Sequence, residues 1–254
     1  MIPDLAESVR IVPSFVDSDE VASLREYAIS RKEIFESTGS RIDKKFRVAT
    51  VLFAGKHPEV LSDLQSLRWS LEQRAEEEFS QIEWTPHVSL AKHQPPQLTM
   101  SKGGSYFRRH TDNGIKPEAK IAFHRAITYV LYLGGDFTGG DLFLHPTLVR
   151  KHESGVMVGT PVESNDSFRV SPDPGTLVIF PSCLFHEVEN VNECDQWEKG
   201  RLTVNGWLSQ KPDSILKKTL QSARLGDKIA AVTKAAGIRE CGGCARRRAR
   251  LNGE

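Results

Sequence analysis

A chain of 254 residues, 39% hydrophobic and 26% charged, has the composition of a globular protein and the length for one or two packed domains, with a single all-β domain the better expectation. A formal net charge of +1 gives no overall field to draw it onto nucleic acid or a membrane, and no apolar run approaches the length of a bilayer span. The four cysteines make no disulfide framework, and residues 1–8 lack the basic start and apolar core of a signal peptide, so a reducing, cytoplasmic setting is expected.

Residues 10–16 read as a short strand. Asp17 then offers an N-cap to Ser18-Asp-Glu20, and Val21, Leu24, Tyr27 and Ala28 fall at helical spacing, which predicts an amphipathic helix over 18–31. Residues 46–53 are β-rich. His57-Pro58 opens a second helical stretch to about residue 80, with Val60, Leu61, Leu64, Leu67, Leu71 and Ala75 on one face. From residue 86 the pattern turns to strands, at 87–91, 97–101, 104–110, 125–133, 141–145, 168–170, 176–180, 184–189 and 201–209; short strands with Gly and Pro turns argue for a sandwich or barrel.

Residues 146–167 read as a long insertion, either a lid or a decorative hairpin. The tail, 211–254, carries a basic, Ala-rich helical pattern from Lys228 to Arg239, then Cys241-Gly-Gly-Cys244 and the run Arg246 to Arg250. Cys-x-x-Cys is half of a zinc site or a redox pair, with no second half at matching spacing; the alternative is a solvated basic tail, and nucleic acid is not an expected partner. The expected organisation is therefore 1–85 as buttressing helices and strands, 86–210 as a β core of the same domain, and 211–254 as a C-terminal helix and tail.

Two fragments carry the chemistry: Tyr106-Phe-Arg-Arg-His110-Thr-Asp112 and, much later, Phe180-Pro-Ser-Cys-Leu-Phe-His186-Glu-Val188. Two imidazoles and one carboxylate are the ligand set that holds non-heme Fe(II) while leaving positions open for oxygen. His110 and Asp112, two residues apart on an extended strand, would point to the same side. His186 must come from a distant strand, for which the Pro172-Asp-Pro-Gly175 turn and the apolar run Thr176 to Phe180 make provision.

The surrounding blocks keep a definite order. After His110-Thr-Asp112 come Arg125-Ala-Ile-Thr-Tyr-Val-Leu-Tyr132-Leu, Thr138-Gly-Gly-Asp-Leu142-Phe-Leu, Gly175-Thr-Leu-Val-Ile-Phe-Pro181, His186-Glu-Val and Arg201-Leu-Thr-Val-Asn-Gly-Trp207. This order resembles the catalytic core of the prolyl-4-hydroxylase-like 2-oxoglutarate/Fe(II) dioxygenases, over roughly residues 98–209. The resemblance implies a mainly β fold with flanking helices, a double-stranded β-helix (jelly roll). It implies His110, Asp112 and His186 as metal ligands and catalytic residues, with Fe(II), 2-oxoglutarate as cosubstrate, molecular oxygen, and ascorbate as an optional addition. The reaction it implies is hydroxylation of an unactivated carbon with release of succinate and carbon dioxide. The primary substrate is left open between a prolyl or other residue of a protein and a small metabolite. A carboxylate at 112 argues against a halogenating variant.

A guanidinium suits a carboxylate through two parallel hydrogen bonds, and the resemblance gives Arg201 the far carboxylate of 2-oxoglutarate. The polar segment from Asn192 to Gly200 is longer than is common in that family, which leaves Lys199 as a substitute. The resemblance adds Tyr132 beside the same carboxylate, Leu142 and Val188 as apolar walls, and Asn205 as a polar pocket position on the face of Arg201. Arg108, Arg109, Asn113 and Trp207 lie near these blocks, on the substrate rim or in ordinary packing, while His87, His93, His124 and His145 are read as structural. Two other readings stay open: a cupin-like metal dioxygenase without a keto acid, which has no need of Arg201, and a barrel that binds without turnover.

Overall fold

The computed structural model describes residues 1–38, 45–85, 90, 94–114 and 122–211. Residues 1–152 and 156–210 group as one compact unit. The helix expected near Lys228 and the Cys241–Cys244 pair lie outside the described residues.

Helices α1 (Leu5–Ser8), α2 (Ser18–Ile29), α3 (Pro58–Asp63) and α4 (Gln65–Phe79) accompany the first strands: β1 (Arg10–Val12), β2 (Glu36–Ser37), β3 (Arg47–Val48) and β4 (Thr50–Phe53). Then follow β5 (Gln97–Ser101), β6 (Tyr106–His110), β7 (Arg125–Tyr132), β8 (Thr138–Gly139), β9 (Leu142–Leu144), β10 (Thr147–Lys151), β11 (Met157–Pro161) and β12 (Phe168–Val170). The last are β13 (Leu177–Pro181), β14 (His186–Val188), β15 (Val191–Asn192) and β16 (Arg201–Ser209). They pair into a seven-stranded sheet ordered β1-β13-β7-β16-β5-β4-β2, a five-stranded sheet ordered β12-β9-β14-β6-β3, and the small pairs β10-β11 and β15-β8. All pairings are antiparallel among the described residues, and the strand order is that of a double-stranded β-helix.

Alternation along the central strands builds two cores. Ile127, Tyr129 and Leu131 on β7, Leu177 and Ile179 on β13, and Leu202, Val204 and Leu208 on β16 pack with Val21 and Ala28 of α2, Val60 of α3 and Leu71, Ala75 and Phe79 of α4. The opposite faces send Val130, Tyr132, Val178 and Phe180 to meet Leu142, Leu144 and Val170 of the second sheet. The helices thus cover one face of the large sheet and leave the other to form a cavity. α2 begins where expected because the Asp17 carboxylate accepts from the Asp19 and Glu20 amides at 3.0 and 2.8 Å.

Three elements differ from expectation. The strand at 10–16 stops at Val12, since Pro13 has no amide to continue the ladder and Ser14 turns the chain at φ +50°. The helix expected over 58–80 breaks at Leu64 (φ −88°, ψ +7°), whose side chain is buried in the core. The β run at 46–53 divides at Ala49, so that β3 joins the five-stranded sheet and β4 the seven-stranded one. Thr38 holds this switch, its hydroxyl accepting from the Ala49 amide at 3.2 Å and donating to the Ala49 carbonyl at 3.1 Å. Of the strand expected at 87–91 only Leu90 is described, bridging Gln210.

Candidate metal and cosubstrate site

β14 lies against β6 with His186 opposite His110, which puts the two imidazoles 4.3 Å apart between ring centroids. Asp112 joins them by a different route from strand alternation. β6 ends at His110, and Asp112 sits in the following bend, its amide and that of Asn113 donating to the Ser182 carbonyl at 3.0 and 3.1 Å. The turn after β13 therefore pins the bend after β6 and aims the carboxylate back at the imidazoles. Asp112 Oδ1 is 3.7 Å from His110 Nε2 and Oδ2 is 3.5 Å from His186 Nε2. One ligand atom from each residue lies within 4.8 Å of the others.

The hydrogen bonds fix the chemistry of this trio. His110 Nδ1 is 2.8 Å from the Arg108 carbonyl and His186 Nδ1 is 3.0 Å from the Leu184 carbonyl. A carbonyl only accepts, so both Nδ1 atoms carry the proton and both Nε2 atoms present a lone pair. His110 Nε2 is buried with no hydrogen-bond partner among the described residues, so its lone pair is available to a metal ion. Burial, with His110 adding to it, pulls His186 down to about 4 against the attraction of Asp112, so the imidazole is neutral at physiological pH. Burial would push Asp112 up, but His186, His110 and Arg125 override it and hold the carboxyl well below the usual range. Two imidazoles, each tied at Nδ1 to a carbonyl, and a carboxylate, all aimed at one point, fit a divalent metal.

The supporting groups carried no motif. Thr128 on β7 donates to Asp112 Oδ2 at 2.9 Å and shares a 2.8 Å hydrogen bond with Ser182. Arg125 donates to the Asp112 carbonyl at 3.2 Å and to Gln94 Oε1, with its guanidinium 3.7 Å over Trp207. Thr128 could have been found by counting back two strand steps from Tyr132. Arg47, which lines the cavity between the sheets, was findable as the lone cation in the apolar run from Phe46 to Phe53.

His110, Asp112, His186, Arg201, Tyr132, Leu142, Val188 and Asn205 all line one cavity between the sheets that opens to solvent. Arg201 opens β16 and is only 4% exposed, so the long segment before it has not displaced it from the core. That segment folds back through a short turn at Trp197–Lys199, with Trp197 Nε1 donating to Thr50 at 2.8 Å. Lys199 pairs instead with Asp136 at the surface, 3.3 Å away. The Arg201 guanidinium lies 5.1 Å from the Tyr132 ring centroid, and neither Arg201 Nε nor the Tyr132 hydroxyl has a hydrogen-bond partner among the described residues. Burial lowers the Arg201 pKa, while Tyr132 and Asp141 support the charge. Gly140 makes room for it. Its φ is +71°, and a β-carbon there would stand 2.9 Å from Arg201 Cδ. Val188 faces Leu142 across β14 and β9, making an apolar wall. Asn205 accepts from Thr203 at 2.8 Å.

Other residues near these blocks are sorted by the fold. Arg108 and Arg109 are exposed, and Trp207 lines the cavity with its indole N–H unpartnered among the described residues. Asn113 is buried and donates to the Met157 carbonyl at 2.6 Å, tying the bend after Asp112 to β11. The insertion at 146–167 is thus a docked β10–β11 hairpin rather than a free loop, and Gly159 in it fits so closely that a β-carbon would stand 2.1 Å from the Cys183 carbonyl. His145 Nε2 lies 3.2 Å from Glu187, and His124 stacks edge-on with Phe123 at 5.3 Å. His87 and His93 lie outside the described residues.

Residues 96–209 match the model of the 2OG-Fe(II) oxygenase superfamily. Among solved structures, one similar chain is a prolyl hydroxylase from Trichoplax adhaerens in complex with a peptide fragment of the hypoxia inducible factor oxygen degradation domain. It is 16% identical with a TM-score of 0.57, the alignment covering 80% of this chain and 84% of that one. Another is an oxidoreductase of the 2OG-Fe(II) oxygenase family from Burkholderia pseudomallei, 17% identical with a TM-score of 0.51, covering 81% of this chain and 86% of that one. No curated protein sequence matches.

Proposed function

We propose that the chain, whose residues 96–209 match the model of the 2OG-Fe(II) oxygenase superfamily, is a 2-oxoglutarate-dependent dioxygenase that hydroxylates an unactivated carbon using iron held by His110, Asp112 and His186. The reaction takes the substrate C–H, dioxygen and 2-oxoglutarate to the alcohol, succinate and carbon dioxide. The observation that carries this reading is the bare, buried His110 Nε2 beside Asp112, in the same cavity as a buried Arg201 whose Nε is also bare.

Bound iron and keto acid supply the oxidising chemistry; the chain supplies position, charge and exclusion of water. Arg201 grips the far carboxylate of 2-oxoglutarate, with the Tyr132 hydroxyl as a second donor to it. Leu142 and Val188 shape the slot for the carbon chain, and Asn205, set by Thr203, gives that slot a polar edge. Thr128 and Ser182 hold the Asp112 carboxylate in its ligating pose. The Arg108 and Leu184 carbonyls keep both imidazoles in the tautomer that presents Nε2. The buried guanidinium disfavours a cupin-like enzyme without a keto acid, which would carry the cost of desolvating Arg201 without use.

The substrate in this reading is an amino-acid residue of a protein or a small metabolite. The peptide bound by the Trichoplax enzyme favours keeping the first in any screen. Two buried free thiols, Cys183 and Cys194, suit a reducing compartment such as the cytoplasm. No helix among the described residues is long and apolar enough to cross a membrane. The test is succinate formation from 2-oxoglutarate by the purified protein, with ascorbate to keep iron ferrous. Turnover should need Fe(II) and fall to background in His186→Ala and Asp112→Ala, both still folded by circular dichroism. Full activity in either folded variant would move the metal elsewhere.

A further inference from the structure

One charged group in the cavity has no task in the scheme above. Arg47 lies on β3, the edge strand that crosses from one sheet to the other at Ala49, and it stands opposite Phe107. Its guanidinium is 4.6 Å from the Phe107 ring centroid, and Phe107 in turn stacks on His110 at 3.6 Å. Among the described residues its only hydrogen bond is a long one, 3.5 Å to the Thr99 hydroxyl, and it makes no ion pair there. Burial lowers its pKa to about 10 against the attraction of Asp112, so it remains charged at neutral pH. Arg201 feels different neighbours, Tyr132 and Asp141, although both arginines line the same cavity.

Charge counting sharpens the point. Among the described residues, the charged side chains lining the cavity are Arg47, Arg201 and Asp112. A divalent metal is balanced by Asp112 and the near carboxylate of 2-oxoglutarate, and Arg201 by the far carboxylate. Arg47 is left over. While the cavity is open, water solvates it. When a substrate covers the mouth, that water leaves, and an uncompensated buried cation costs several kcal/mol unless the substrate brings an anion. Trp207 Nε1 is a second donor on the same cavity without an acceptor among the described residues, and its residue is 8% exposed.

We propose that Arg47 binds a carboxylate of the primary substrate, so that the enzyme selects acidic substrates over their neutral counterparts. The inference rests on the dioxygenase reading and names the substrate class within it. The carboxylate belongs to a free acid such as an amino acid or to an acidic side chain of a peptide.

The test is a paired screen with Fe(II) and 2-oxoglutarate, reading succinate formed above the substrate-free rate. One arm sets free amino acids and N-acetyl amino acids against their amides. The other sets peptides with Asp or Glu against the same peptides with Asn or Gln. In the wild type an acid in one arm should stimulate turnover, with kcat/KM about a hundredfold above its amide, the scale of losing one buried charge pair. Arg47→Gln should bring that ratio below about threefold, leaving the KM for 2-oxoglutarate and the substrate-free rate unchanged, and Arg47→Lys should restore part of it. Which arm responds identifies the source of the carboxylate. Equal use of acids and amides, no stimulation by any acid, or a raised KM for 2-oxoglutarate in Arg47→Gln would each overturn the assignment. A wild type that forms no succinate even without substrate would instead remove the dioxygenase reading, and this inference with it.

Discussion

Replacing Arg201 with Met separates what the guanidinium does for the fold from what it does for the ligand. Arg201 is 4% exposed, its Nε has no partner among the described residues, and the site around it is shaped by Tyr132 and Gly140. Met keeps much of the apolar stem and removes a buried charge, so the ligand-free protein should be at least as stable as the wild type. The bound state should suffer. Two charge-assisted hydrogen bonds at about 1.5–3 kcal/mol each make a loss of roughly 3–6 kcal/mol, or about a hundredfold to ten-thousandfold or more in affinity. The assay is thermal unfolding under nitrogen with Mn(II) as a non-turnover metal. With 2-oxoglutarate at about one hundred times its wild-type Kd, linkage gives the wild type about 2.7 kcal/mol, which is roughly 5–10 °C for a chain of this size. At the same concentration the variant should gain less than about 0.3 kcal/mol, a shift near 1 °C at most. A wild-type-sized shift in Arg201→Met would refute the carboxylate grip. Collapse of the ligand-free variant would show instead that the guanidinium is structural.

Thr128→Val removes the 2.9 Å hydrogen bond to Asp112 Oδ2 at nearly constant volume, and should weaken metal binding by about tenfold to a hundredfold in a Co(II) or Mn(II) titration; unchanged affinity would show that Ser182 and the bend alone orient the carboxylate. Gly140→Ala places a β-carbon against Arg201 at φ +71°, so it should cost about 1–2 kcal/mol in stability and raise the KM for 2-oxoglutarate. A normal KM with lowered stability would separate the strain from the ligand grip. Asn113→Ala cuts the tie to the Met157 carbonyl, and hydrogen exchange should speed up in the β10–β11 hairpin relative to the β7–β13–β16 core; equal protection would mean that the packing of Gly159 suffices to dock it.

What could be read in the sequence follows from which signals are local. The period-2 faces of β7, β13 and β16 were legible because Thr128-Tyr-Val-Leu-Tyr132, Leu177-Val-Ile-Phe180 and Arg201-Leu-Thr-Val204 alternate between two environments, and the same alternation separated Tyr129 from Tyr132. Strands 97–101, 168–170 and 201–209 match the expected limits. The His110, Asp112 and His186 cluster was visible as His-x-Asp with a distant His, yet the reason Asp112 faces the two imidazoles was not. Strand alternation was the expected cause, whereas the Ser182 carbonyl, seventy residues on, sets the bend. The division of 46–53 between two sheets was hidden as well. It depends on Thr38 bonding across to Ala49, a tertiary contact with no periodic trace, and Arg47 reaches the cavity only through it. The hairpin within 146–167 was ambiguous because its docking rests on a buried Asn113 and a close glycine contact rather than on its own composition.

The most direct test of the central claim, that His110, Asp112 and His186 hold iron with 2-oxoglutarate in the cavity ended by Arg201, is an anaerobic titration of the metal-free protein. Fe(II) is added first and 2-oxoglutarate second, following visible absorption. A weak charge-transfer band should appear only when both are present and be absent in His110→Ala. Iron binding without the band would contradict the keto-acid assignment, and an unchanged band in His110→Ala would contradict the ligand set.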